Sequence, residues 1–80
     1  MKVRVKFFGE IRSKIASEDL WMHFKGQVTL KTLLAKLEKE HKMELENRNT
    51  IILVNGRHVK FDATLNDMDE VVIFPVTTGG

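Results

Sequence analysis

Eighty residues, 42% apolar and 30% charged, suffice for one small globular domain and leave no room for a second. The absence of cysteine excludes disulfide staples, thiolate metal sites and thiol nucleophiles, and a formal charge of +2 is too small to imply a nucleic-acid partner. No apolar run nears the about 18 residues of a membrane span, and "MKVRVKFFGE" alternates where a signal peptide is continuously apolar, so no membrane is expected and the expected compartment is the cytoplasm.

Residues 2–8, "KVRVKFF", have period two. Val3, Val5 and Phe7 point one way, and Lys2, Arg4, Lys6 and Phe8 the other, which predicts a half-buried strand ended by Gly9. In "EIRSKIA", Ile11 and Ile15 lie four apart, enough for a short helical turn. "SED" breaks that pattern, and Leu20 to Lys25 alternate again, with Leu20, Met22 and Phe24 on one face. These two strands are expected to pair antiparallel, and Gly26 closes the second.

Thr29 is placed to cap a helix whose Leu30, Leu33, Leu34 and Leu37 recur at i, i+3, i+4 and i+7. A single apolar stripe has to lie against something, and the sheet is the candidate. Glu38 and Lys42 offer an exposed i,i+4 pair in the favourable order. After the polar break Glu46 to Asn49, "IILV" (51–54) reads as a buried strand. Asn55-Gly56 is a hairpin turn signal, because both positions tolerate positive φ. "RHVKF" (57–61) is expected to return as a short edge strand, and "DATLNDMDE" to form a loop anchored by Leu65. "VVIF" (71–74) is the last strand, stopped by Pro75, which has no amide to donate.

The predicted order is ββαβββ-like, an α+β fold with one helix packed on one face of a mixed sheet. Placing the apolar last strand beside the first, parallel and central, gives the β-grasp or ubiquitin-like architecture. The expected domain spans residues 1–75, followed by a flexible tail, 76–80.

Little in the chain reads as catalysis. His23, His41 and His58 have no spacing that puts two on one face, so they read as solvent-facing and no metal is expected. Asp67, Asp69 and Glu70 lack the glycine and terminal glutamate of a calcium loop and read as a polar turn. There is no nucleophile elbow and no glycine-rich phosphate cradle. Lys2, Arg4, Lys6 and Phe8 read as a solvated sheet face rather than a nucleic-acid platform, because one aromatic is too few for base stacking. Phe8, Val72 and Phe74 share even parity. If the first and last strands are neighbours, these three lie together on the face away from the helix as a protein-docking patch.

The end of the chain carries the sharpest signal. Val76 to Gly80 reach about 16 Å when extended from a rigid root. Two terminal glycines have no Cβ, so Gly79 and Gly80, with Thr77 and Thr78 behind them, can thread a narrow channel and bring the terminal carboxylate to a nucleotide phosphate. A carboxylate becomes a useful electrophile once adenylated, and a sulfur or amine can then attack its carbon.

"VKFFGEIR", "ILVNGR" and "LNDMDEVVIFPVTTGG" together resemble the MoaD/ThiS family of sulfur carriers, on the side of the molybdopterin synthase small subunits, over nearly the whole chain. Two departures stand out. The family's usual Asp-Gly-Asp turn is Asp67-Met68-Asp69 here, and its frequent Pro-Pro is Pro75-Val76. The resemblance implies adenylation of Gly80 by a partner activating enzyme that uses ATP, with no cofactor bound on this chain. It then implies conversion to a thiocarboxylate and docking on the large, catalytic synthase subunit, so that the carrier itself is not an enzyme. Arg12 and His58 join Phe8, Val72 and Phe74 as the expected partner-binding residues. A ubiquitin-like protein modifier, a carrier for thiamine or tRNA thiolation, and a β-grasp binding module with an inert tail are the competing readings.

Overall fold

In the computed structural model, which describes residues 1–9, 19–42, 45 and 50–75, alternation and burial agree strand by strand. β1 (Lys2–Phe7) buries Val3, Val5 and Phe7 and turns Lys2, Arg4 and Lys6 outward. β2 (Asp19–His23) pairs antiparallel with β1, beginning one residue before the expected span and ending two before it, and buries Met22. β3 is Thr50–Val54 and β4 is Glu70–Pro75. The sheet order is β2-β1-β4-β3, with β4 parallel to β1 and antiparallel to β3. The apolar last strand therefore lies inside the sheet, as its composition predicts. Pro75 is its final residue, opposite Thr50.

The helix α1 (Leu30–His41) presents Leu30, Leu33, Leu34 and Leu37 to the sheet, all essentially inaccessible to solvent. They pack with Val3, Val5, Phe7, Ile52, Val71 and Ile73 in one core cluster, closed by Leu45 and Leu65. Full burial of such a side chain contributes about 1.5–3 kcal/mol. At the start of the helix the amides of Leu30 to Leu33 are all met. Thr29 Oγ1 accepts from Thr32 N at 3.2 Å and Thr29 O from Leu33 N at 3.1 Å. Ala63 O and Phe61 O accept from Leu30 N and Lys31 N at 2.9 and 2.8 Å.

Those last two bonds correct the expectation for residues 57–61. After the turn, where Asn55 and Gly56 have φ of 52° and 81°, Arg57 makes one bridge to Val54 and the segment then leaves the sheet. Phe61 O, at the end of the segment, is drawn with Ala63 O to the helix N-terminus, so no return strand forms and the described sheet has four strands. β3 is also half-buried rather than buried, with Ile51 and Leu53 partly exposed between Ile52 and Val54. Glu38 does not pair with Lys42. Its carboxylate accepts from Leu45 N at 2.8 Å, while Lys42 ends the helix in a left-handed conformation. The expected turn around Ile11 and Ile15 and the break at Glu46–Asn49 lie outside the described residues.

Met68, between the two turn aspartates, has φ of 71° and is 56% exposed. A left-handed conformation costs a residue with a Cβ about 1–2 kcal/mol, partly offset by the extra unfolded-state freedom of glycine. Met68→Gly is therefore expected to raise stability by about 0.5–1 kcal/mol, read as a higher urea midpoint. A lower midpoint would show that the Met68 side chain contributes more than its exposure suggests.

Candidate functional site

β4 is laddered with β1 through Ile73 and with β3 through Pro75, so the residue from which the chain end departs is held on the β3 side. The turn that delivers β4 is fastened by its own acids. Asp67 Oδ1 accepts from Lys2 N at 2.8 Å, Asp69 Oδ2 from Asn66 N at 2.7 Å and Asp69 Oδ1 from Asn55 Nδ2 at 2.9 Å. Asn55 Oδ1 in turn accepts from Glu70 N at 3.0 Å. These carboxylates accept from backbone amides and from the Asn55 side chain, and no cluster of three or more potential metal ligands occurs among the described residues.

The face of the sheet away from α1 carries the expected patch. Phe8 and Phe74 meet edge to face, with ring centroids 6.4 Å apart and planes at 89°. Phe8 is 48% exposed and Phe74 is half-buried. The parallel register sets Val72 beside Lys6, and the antiparallel register sets Ile51 opposite Phe74 and Leu53 opposite Val72. Phe8, Phe74, Ile51, Val72 and Leu53 thus make one apolar area at the end of the sheet where β4 finishes. Ion pairs border it, Lys6 Nζ to Glu70 at 3.4 Å and Arg4 to Asp19 at 2.6 Å.

Phe8, Val72 and Phe74 are therefore brought together as parity predicts. His58 is exposed beyond the turn, where it lines a groove with Ile51, Ile52, Val59 and Phe61. Arg12, Thr77, Thr78, Gly79 and Gly80 lie outside the described residues. Ile51 and Leu53 were not identifiable as face residues from sequence, because "IILV" is apolar at both parities. The alternating burial of the structure is what separates them. Trp21, 44% exposed on the same face, was signalled by the alternation of β2, which sets it opposite in parity to Leu20 and Met22. No helix among the described residues is long and apolar enough to cross a membrane.

Comparison with known proteins adds four likenesses. The model of the ThiS family matches residues 5–80. The molybdopterin synthase sulfur carrier subunit of Escherichia coli (strain K12) is 30% identical over 80 residues, covering 98% of this chain and 99% of that one. Among solved structures, a putative molybdopterin converting factor subunit 1 from Pyrococcus furiosus superposes with a TM-score of 0.86 at 28% identity, covering 96% of this chain and 99% of its own. In the protein–protein complex of subunits 1 and 2 of molybdopterin-converting factor from Helicobacter pylori 26695, the matched chain has a TM-score of 0.71 at 26% identity, with full coverage of both.

Proposed function

The chain belongs to the ThiS family, and from that membership we propose that it carries sulfur on the carboxyl end of Gly80, as the small subunit of a molybdopterin synthase. The observation that carries this reading is a family match running through Gly79 and Gly80, which follow the central strand of a β-grasp sheet. The chemistry needs no other group on this chain. A terminal carboxylate oxygen attacks the α-phosphorus of ATP on an activating enzyme, and pyrophosphate leaves. A sulfide-level nucleophile then attacks the acyl carbon and displaces AMP, leaving a thiocarboxylate. The carrier next docks on the large subunit, threads its side-chain-free tip into that subunit's active site and gives up the sulfur. Two such deliveries build the dithiolene of molybdopterin. The large subunit supplies the catalytic groups, and the work is cytoplasmic. With no cysteine in the chain, the terminus is the place where such sulfur rides.

The test is intact mass after incubation with ATP, a sulfide donor and the cognate activating enzyme. A gain equal to one oxygen replaced by sulfur supports the carrier. Covalent adducts on lysines of other proteins, without that gain, would replace it with a protein modifier, and an unchanged mass would leave an inert binding module.

Phe74 tests the docking face. A central aromatic hot spot is worth at least about 2 kcal/mol, more than tenfold in affinity, whereas a core phenylalanine loses about 3–5 kcal/mol of stability on truncation. Phe74 packs on Phe8, outside the buried core cluster. Phe74→Ala is accordingly expected to weaken binding to the large subunit, measured by calorimetric titration, more than it lowers the urea midpoint of the free chain. Unchanged affinity with a collapsed melt would move the docking face elsewhere.

A further inference from the structure

β2 is one edge of the sheet, and its outer rim is chemically specific. Met1 and Phe24 exchange both backbone hydrogen bonds, at 2.9 and 2.8 Å. Antiparallel ladders alternate such bonded pairs with pairs whose amides face outward. Val3–Met22 and Val5–Leu20 therefore bond across the ladder, whereas the N–H and C=O of Trp21 and His23 point away from β1. Arg4, opposite Trp21, shows the same phase, since its amide turns from β2 and donates to Asp69 O at 3.0 Å. Among the described residues, no backbone group meets Trp21 or His23 on the outer rim.

The two faces of that rim differ. On the open face Lys2 Nζ lies 4.9 Å and the Arg4 guanidinium 5.9 Å from the ring centroid of Trp21. His23 and Lys25 follow at the same parity, both exposed. The acid of this region, Asp19, is already ion-paired with Arg4. On the helix side, half-buried Leu20 and Phe24 pack at the border of the core, with Lys36 Nζ 5.1 Å from the Phe24 ring centroid.

We propose that this rim binds an extended acidic segment of a protein partner as an added strand. Its backbone pairs with Trp21 and His23, its apolar side chains cover Leu20 and Phe24, and its alternate carboxylates face Lys2, His23 and Lys25. Strand addition supplies the backbone bonds, and alternate side chains supply the choice. Cations along an edge repel indiscriminate pairing, so the same charges that protect this edge admit an acidic strand and exclude a basic one. The unpaired N–H and C=O groups call for a peptide backbone rather than a nucleobase. This surface lies on the opposite edge of the sheet from β3 and does not depend on the sulfur-carrier reading.

The whole chain would be titrated with a blocked peptide of alternating valine and glutamate. The chain holds one tryptophan, so its emission reports this site alone. The expected result is a saturable change in Trp21 emission and slowed amide exchange at Trp21 and His23, both weakened by salt. Lys25→Glu, alone and with Lys2→Glu, is expected to weaken binding, the pair by at least about fivefold, with the amide spectrum of the free fold retained. Salt dependence in the unmodified chain gives the same discrimination if the double variant unfolds. Absence of saturation at millimolar peptide overturns the proposal. So does an equal response to a valine–lysine peptide, or protection centred on Ile51 and Phe74. Tighter binding of an oligothymidylate at Trp21 would replace the peptide by a nucleic acid and overturn it as well.

Discussion

Deletion of Gly79 and Gly80 is expected to abolish sulfur loading while leaving the melting temperature almost unchanged. Among the described residues the core cluster runs from Val3 to Ile73 and closes between helix and sheet. The ladder that holds β4 is complete at Pro75. Unpacked chain ends contribute little to stability. Activity should behave in the opposite way. On the proposed route the terminal carbonyl carbon is the reacting atom, so truncation leaves a carboxylate on Thr78 that is two residues short and carries a β-branched side chain at the tip. Intact mass after incubation with the activating enzyme, beside a thermal scan, reads both effects. A truncated chain that still gains sulfur would refute the terminal-carboxylate chemistry. A truncated chain that melts far lower would show that the tail is part of the fold.

Leu34→Ala is expected to cost about 2–5 kcal/mol, the range for truncating a buried leucine where the surroundings relax only in part. Leu34 is fully buried on the sheet-facing stripe of α1. At about 0.05–0.15 kcal/mol per residue, a chain of this size holds about 4–12 kcal/mol in total, so one substitution removes a large share. A urea melt of the variant shows the loss as a lower midpoint at unchanged slope. A midpoint that hardly moves would mean that the stripe does not carry the packing between helix and sheet.

The proposed docking face and the proposed strand-binding rim of β2 border one sheet surface that carries two chemistries. Near the end of β4, Phe8, Phe74 and Ile51 are apolar, and toward the other end of β1 the face becomes Arg4, Trp21 and Lys2. Lys6–Glu70 and Arg4–Asp19 lie between the two areas. Both pairs are partly solvated, so each adds at most about 1 kcal/mol to the fold. Their placement bears more on which partner surface fits beside the apolar end.

The sequence by itself determined the features that depend on near neighbours. The leucine spacing of α1, its Thr29 cap, the positive-φ turn at Asn55-Gly56 and the alternation of β1 follow from residues a few positions apart, and each is present. The side-chain-free end was equally plain, because Gly79-Gly80 needs no fold to be recognised. Tertiary structure decided what depends on partners far along the chain. Arg57–Phe61 has the composition of a strand, yet Phe61 O and Ala63 O accept from the first amides of α1, about thirty residues earlier in the chain. A helix N-terminus leaves donors that have to be met, and that demand outweighed a weak local strand preference. Ile51 and Leu53 joined the open face through the register of β3 on β4, which a run apolar at both parities does not reveal. The cationic setting of Trp21 likewise exists only because β2 pairs with β1 in the register that brings Lys2 and Arg4 over its ring.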